Sequence, residues 1–433
     1  MKFSLEDFKQ AIKNGFLQPY SLSYDYVDES KYEMFQRDIE WKNSRIEETF
    51  EELKHRIGRK YYKNVFLAQS NALNYAALLF PAYSFLFSED LLDDWLAIVD
   101  FHKKYCRDHS LHQPMTAYVA AQLLGYGEPF EALPISTSQG NLLDFCVEVI
   151  LTKPEAHYIL ECADRYGLPR NMLKDSQAAR VFWKGVFYRT VVLSALFHDI
   201  GYPWQYMDRV GKELRKSVSN LHQSGNVVSQ LISDFGDRMV FLPLRNYEIT
   251  HRNEPVFEKD RLKELTNSAM ATHGFPGAIA FLTLNDAIRK SVVTEPLAKM
   301  HEFMVEWAAM GIFMHDMEGK HREHFPKLRL SFFQDPLSSV VAMADYLEEF
   351  NRPKVAFKSK LKESRARYSY DCSLVEINNM GSVLNVEMHY FNNASKAIAA
   401  QFKRKETDDY FNPSRGYIDM LPLGINKVVY SQN

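Results

Sequence analysis

Apolar residues recur at spacings of three and four along most of the stretch from about 91 to 355, and this periodicity predicts helices almost throughout it. Turn signals at "GYGEP", "GLP", "GYP" and "HGFPG" separate them. Pro114 is tolerated only in a first helical turn, so one helix is expected to begin near 111–113, with Met115, Tyr118, Val119 and Leu123 as its buried stripe. Phe187, Val191, Ser194, Ala195 and His198 fall on one face of another helix, which Gly201 and Pro203 should end. Met304, Trp307, Ala308, Gly311, Ile312 and His315 share a third face. Residues 1–90 also read as helical: "MKFSLEDFKQAIKNGF" is an amphipathic pattern, and the segment around "SRIEETFEELKHRIGRK" is a charged, solvated face.

After "NRPK" the period changes. "SYDCSLVEI" and "VLNVEMHYF" alternate as strands do, with "NNMGS" as the turn between them. "ASKAIAAQFKRKE" returns to a helical pattern and "GYIDMLPLGINKVVY" to strand. The expected architecture is mainly α: an N-terminal helical region (1–90), a helical domain (91–355) and a small α+β C-terminal region (356–433).

Composition narrows the function classes. With 433 residues and 46% hydrophobic content the chain can bury a large core, and a net charge of −3 offers no global attraction to nucleic acid or anionic lipid. A local attraction remains open at 352–367, where Arg352, Lys354, Lys358, Lys360, Lys362, Arg365 and Arg367 face only Glu363; the alternative is a solvated linker. Cys106, Cys146, Cys162 and Cys372 form no CxxC pair, so neither a zinc knuckle nor a disulfide framework is expected, and a reducing cytoplasm fits best. The most apolar segment, "ALNYAALLFPAYSFLF", is short and broken by Asn74 and Pro81, which suits core better than a membrane span.

The candidate chemistry lies at helix ends. "ALFHDIGYPW" closes an apolar helix with His198 and Asp199. His112 stands at the mouth of the Pro114 helix, with His109 a turn before it; His273 precedes Gly274 at another helix entrance. His315 falls on the inward face, and Asp345 is embedded in "VVAMADYL". Taken singly, each has an ordinary explanation as a hydrogen-bonded core group. As a set, imidazole and carboxylate without thiolate suit a divalent metal such as Zn, Fe, Mn or Ni. Asp316 lies on a different face from His315, so this second His-Asp pair is not expected to duplicate the first.

The order H…HD…H…H…D resembles the HD-domain superfamily of metal-dependent phosphohydrolases. "HSLHQPMTAYVA" is similar to its first-His helix, "LSALFHDIG" to its HD helix, "THGFPGAIAFL" to its His-Gly helix and "SVVAMADYLEEFNRP" to its last-Asp helix, over roughly residues 100–353. His112 fits the first position better than His109, because Thr116, Ala117 and Ala120 follow it at the small or β-branched positions. The resemblance implies an HD-domain helical bundle and two divalent ions (Mn, Fe, Ni, Zn or Mg). His112, His198, Asp199 and Asp345 would hold one, His273 and His315 the other, and Asp199 would bridge them. It implies hydrolysis of a phosphate ester, on a nucleotide-like small molecule, by metal-activated water. Asp199 would position the nucleophile, and His273, His222 or His109 would protonate the leaving oxygen. Many members carry Lys where this chain has Tyr202, so phosphate charge would fall to Lys184, Arg189, Lys212 or Lys320. The "GYP" directly after HD is not the signature of the cyclic-dinucleotide subgroup, whose GYP lies in another loop. Rival readings are an HD-type nuclease guiding single-stranded nucleic acid along 352–367 and a non-catalytic metal-binding scaffold. No membrane contact is expected, and a homo-oligomer is compatible with the chain.

Overall fold

The computed structural model describes residues 1–13, 112–126, 130–135, 140–201, 273–282, 298–317, 329–350, 352–355, 367–370, 372–391 and 393–433. The helices are α1 (Leu5–Lys13), α2 (His112–Leu124), α3 (Leu142–Thr152), α4 (His157–Arg165), α5 (Gln177–Phe197), α6 (274–282), α7 (Ala298–Met314), α8 (Pro336–Leu347) and α9 (Asn393–Phe411). The strands are β1 (Lys2–Ser4), β2 (Leu330–Ser331), β3 (Arg352–Val355), β4 (Arg367–Tyr370), β5 (Cys372–Met380), β6 (Val383–Tyr390), β7 (Ile418–Asp419) and β8 (Lys427–Gln432). The described residues are helix-rich with a small sheet built mainly from the C-terminal part. No helix among them is long and apolar enough to cross a membrane.

Helix α2 begins at His112, with Pro114 in its first turn. The expected stripe of Met115, Tyr118, Val119 and Leu123 is buried, but so are Thr116, Ala117, Ala120, Ala121 and Leu124. A helix buried on all sides is central to a core rather than amphipathic. Helices α5 and α8 pack on α2, and α7 packs on α5 and α8. Trp183, Phe187, Phe303 and Trp307 interlock between α5 and α7, with Trp183 and Trp307 edge-to-face at 6.0 Å. Such ring pairs contribute about 0.5–1.5 kcal/mol each beyond the area they bury. Asp335 caps α8 by accepting from Ser338 N (3.0 Å), and Pro336 occupies its first turn.

The sheet has strand order β1-β5-β6-β8. The expected hairpin is present: β5 and β6 are antiparallel, and Gly381 (φ 77°) takes the left-handed conformation in the turn. Strands β6 and β8 are parallel, joined through α9.

The first four residues differ from the all-helical N-terminus expected. Lys2–Ser4 form strand β1, antiparallel to β5, which sets buried Phe3 opposite buried Val375. Helix α1 starts only at Leu5, because Ser4 and Asp7 cap it reciprocally: Asp7 N donates to Ser4 Oγ (3.2 Å) and Ser4 N to Asp7 Oδ2 (2.8 Å). Strand pairing also runs across the expected divisions. β2 pairs with β7, and β3 with β4 on the far side of residue 355. The rest of the expected N-terminal helical region, including the apolar segment at 72–87, lies outside the described residues.

Candidate metal centre

Six side chains from five helix ends meet in the core. His112 is the first residue of α2, and His198 caps the C-terminus of α5, with Asp199 in the turn that follows. His273 immediately precedes α6, His315 immediately follows α7, and Asp345 lies in the last turn of α8. Three helix C-termini thus point toward the cluster, where the helix dipole favours positive charge. Glycine permits the convergence. A Cβ on Gly201 would stand 1.8 Å from the His273 carbonyl oxygen and 2.5 Å from Gly277 N. Gly201 is therefore needed for close approach of the α5 turn to α6, beyond the helix-stopping role expected of it.

Asp199 is the hub. Its Oδ2 lies 3.4 Å from both His112 Nε2 and His198 Nε2. Its Oδ1 lies 2.8 Å from His273 Nε2 and 3.6 Å from His315 Nε2. Asp345 joins the first pair, with Oδ1 at 3.0 Å from His112 Nε2 and 3.7 Å from His198 Nε2. Within each pair the two Nε2 atoms are 3.1 Å apart. Bonds of about 2.1 Å to a tetrahedral ion place ligand atoms about 3.4 Å from one another, so these separations fit ligands around an ion.

Ring tautomers decide what the cluster can hold. His198 Nδ1 donates to the Ala195 carbonyl and His315 Nδ1 to the Ile312 carbonyl, both at 2.7 Å. A carbonyl only accepts, so these Nδ1 atoms carry the protons. His112 Nδ1 donates to Glu348 Oε2, and His273 Nδ1 to Asp316 Oδ2 at 2.9 Å. Each neutral ring thus turns an Nε2 lone pair toward carboxylate oxygens and another Nε2. Such a set of acceptors needs positive charge, as protons or as metal ions. With protons alone, burial pushes the Asp199 carboxyl up, but His198 and His273 outweigh it and hold it well below the usual carboxylate range. Burial likewise pushes His273 down, yet Asp316 and Asp199 hold its ring well above its ordinary value. Burial also opposes ionisation of Asp316, and His273 overrides it and lowers the carboxyl.

Two orienting carboxylates escaped the sequence reading. Asp316, set aside because it lies on another face from His315, holds His273 through both its ring Nδ1 and its backbone N (3.1 Å). Glu348, fully buried, follows Asp345 by three residues, a spacing that places both on one side of a helix end and was a usable signal. A third group, Glu376, Glu387 and His389, lies part-exposed on the outer face of the β5–β6 hairpin. Asp345 is less enclosed than its apolar sequence context suggested, with its side chain 19% exposed. His273, at 10%, and Asp316, at 23%, are the other more exposed members.

The basic side chains expected at the centre are not brought to it. Lys184 pairs with Asp144 (2.5 Å), and 14 residues of helix separate it from His198, about 21 Å along the axis. Arg189 lies nine residues before His198 on the same helix, about 14 Å away. Helical rise alone excludes both from the cluster. Lys212, Lys320, His109 and His222 lie outside the described residues, as do Lys358, Lys360, Lys362 and Arg365 of the basic strip; Arg352, Lys354 and Arg367 fall on β3 and β4.

Comparison with known families, with curated proteins and with solved structures finds no match to this chain.

Proposed function

We propose that this chain is a metal-dependent phosphohydrolase or phosphodiesterase of the HD-domain type, hydrolysing a phosphate ester of a nucleotide-like substrate. The observation that carries the reading is Asp199, whose Oδ2 faces His112 and His198 and whose Oδ1 faces His273 and His315, within one continuous row of four rings. His112, His198, Asp345 and Asp199 Oδ2 would hold one divalent ion, and His273, His315 and Asp199 Oδ1 a second. Bound there, such ions supply Lewis acidity and lower the pKa of water toward about 7.

The chain's own groups do the positioning. The carbonyls of Ala195 and Ile312 and the carboxylates of Glu348 and Asp316 keep the four Nε2 atoms turned inward. Asp345, His273 and Asp316 mark the side from which a substrate would approach, since they reach solvent. His273, between Asp199 and Asp316, would serve as a ligand through Nε2, so the proton for a leaving oxygen would come from another group. Phosphate charge would be met by a basic group other than Lys184 or Arg189.

The test is metal content per chain together with Mn-dependent cleavage of a generic phosphodiester. Wild type should carry metal and cleave; Asp199→Ala should do neither. A variant that keeps both activities sinks the assignment, and wild type that binds nothing and cleaves nothing returns the scaffold reading. A panel of nucleotides and single-stranded oligonucleotides at two salt concentrations separates a nucleotide hydrolase from a nuclease, whose binding would fall steeply with salt.

A further inference from the structure

Glu348 caps α8, and its side chain is completely buried. Its two oxygens are committed in different directions. Oε1 accepts from the backbone N–H of Phe350 at 3.0 Å. Oε2 accepts from His112 Nδ1. The Thr116 hydroxyl also lies near that ring nitrogen, at 3.4 Å, a longer and weaker contact. On the far side of the ring, Nε2 faces Asp345, His198 and Asp199 at 3.0, 3.1 and 3.4 Å.

We infer that Glu348 is a positioning residue for the metal centre: its carboxylate fixes His112 in the tautomer whose Nε2 lone pair can ligate. The inference rests on the metal-centre reading for its consequence, but not for its geometry. A neutral imidazole carries one N–H, so a partner that only accepts at Nδ1 leaves Nε2 as the acceptor. Partners of this kind also raise the basicity of the ligating nitrogen, and losing them costs about 10–100-fold in metal affinity.

Only a carboxylate meets both demands. In a glutamine of the same shape one end is an oxygen and the other an NH2. With the oxygen kept on the Phe350 N–H, the NH2 donates to His112 Nδ1, the ring proton moves to Nε2, and ligation by His112 must first displace that proton. With the amide turned over, the NH2 confronts the Phe350 N–H, donor against donor. Glu348→Gln is thus nearly isosteric and neutralises one buried charge, yet it inverts the hydrogen bond that matters.

Beside it, Glu349 is equally buried but differently occupied. It accepts from Lys403 Nζ of α9 (2.9 Å), which also donates to the Tyr346 carbonyl (2.5 Å). The adjacent glutamates therefore separate two jobs, one anchoring α9 and the other orienting His112.

The experiment compares full-length wild type, Glu348→Gln and Glu348→Asp, each stripped of metal and then titrated with Mn(II) or Zn(II). Nitrogen-15 NMR of the histidine rings in the metal-free proteins reads the tautomer directly, and circular dichroism with thermal melting checks the fold. The expected result is a folded Glu348→Gln protein whose His112 carries its proton on Nε2. It should bind one ion normally and the other about 10–100-fold more weakly. Glu348→Asp, which keeps two accepting oxygens, should retain the Nδ1–H tautomer and recover part of the affinity. An unchanged His112 tautomer in Glu348→Gln, or two ions bound at wild-type affinity, overturns the inference. If wild type itself binds no ion, the proposed function fails, and the NMR readout still decides what Glu348 does to His112.

Discussion

His112 and His198 face one oxygen of Asp199, with Asp345 beside them, whereas among the described residues His273 and His315 face the other. In the proposed centre the first half would have four ligands among the described residues and the second three. Behind the first stands Glu348, sealed from solvent; behind the second stands Asp316, about a quarter exposed. Both halves use the same device, one ring held by a carbonyl three residues back and one by a carboxylate. They differ in charge and enclosure. Under the proposed function the first would retain its ion, and the second, with fewer ligands among the described residues, would share its ion with a substrate.

The largest effect should come from the residue common to both halves. Asp199→Ala should abolish binding of both ions in elemental analysis, with activity lost beyond detection; one ion retained would mean that the halves are independent. Next, His112→Ala and His315→Ala should each remove about one ion. If His112→Ala releases the same ion as His315→Ala, judged by which affinity survives in titration, the division into halves is wrong. Asp316→Asn should weaken binding in the second half by about 10–100-fold and leave the first half intact, which isothermal titration would resolve.

Proton competition gives a smaller, graded effect. Neighbouring carboxylates hold the metal-free His273 ring well above its ordinary value, so an ion entering the second half displaces a proton there. Its apparent affinity should fall up to about tenfold per pH unit below that raised value, and flat binding from pH 6 to 8 would argue against His273 as a ligand. At the small end, Lys184→Ala removes a partly exposed pair with Asp144. It should change stability by no more than about 1 kcal/mol and leave metal content untouched.

The residues of the cluster were legible because ligand-type side chains interrupted strong apolar periodicities. His198 and His315 each extend the buried stripe of a helix that the sequence predicts, and Pro114 marks the start of α2 correctly. What was lost depends on tertiary destination. Lys184 and Arg189 lie in the right helix but too many turns away, a matter of counting rise rather than of residue type. Asp316 looked idle because helical phase separates it from His315, although the chain leaves the helix at that point and phase no longer governs it. Strand β1 is three residues long, too short for alternation to register; the Ser4–Asp7 capping pair was the better local signal. Strand pairing with distant β5, like the β2–β7 pairing, has no local signature at all.

The Tyr417 hydroxyl donates to the Met314 carbonyl at the end of α7, one residue before His315. Lys403 likewise reaches back to the end of α8 beside Glu348. Both come from the C-terminal part of the chain, which contributes none of the six clustered side chains. Thermodynamic linkage then runs both ways. Metal added to the helices should slow hydrogen exchange in the segments around Tyr417 and Lys403, and a chelator should lower the temperature at which they melt. If the proposed centre holds metal, a nick among residues 393–433 would first be noticed as weakened metal binding.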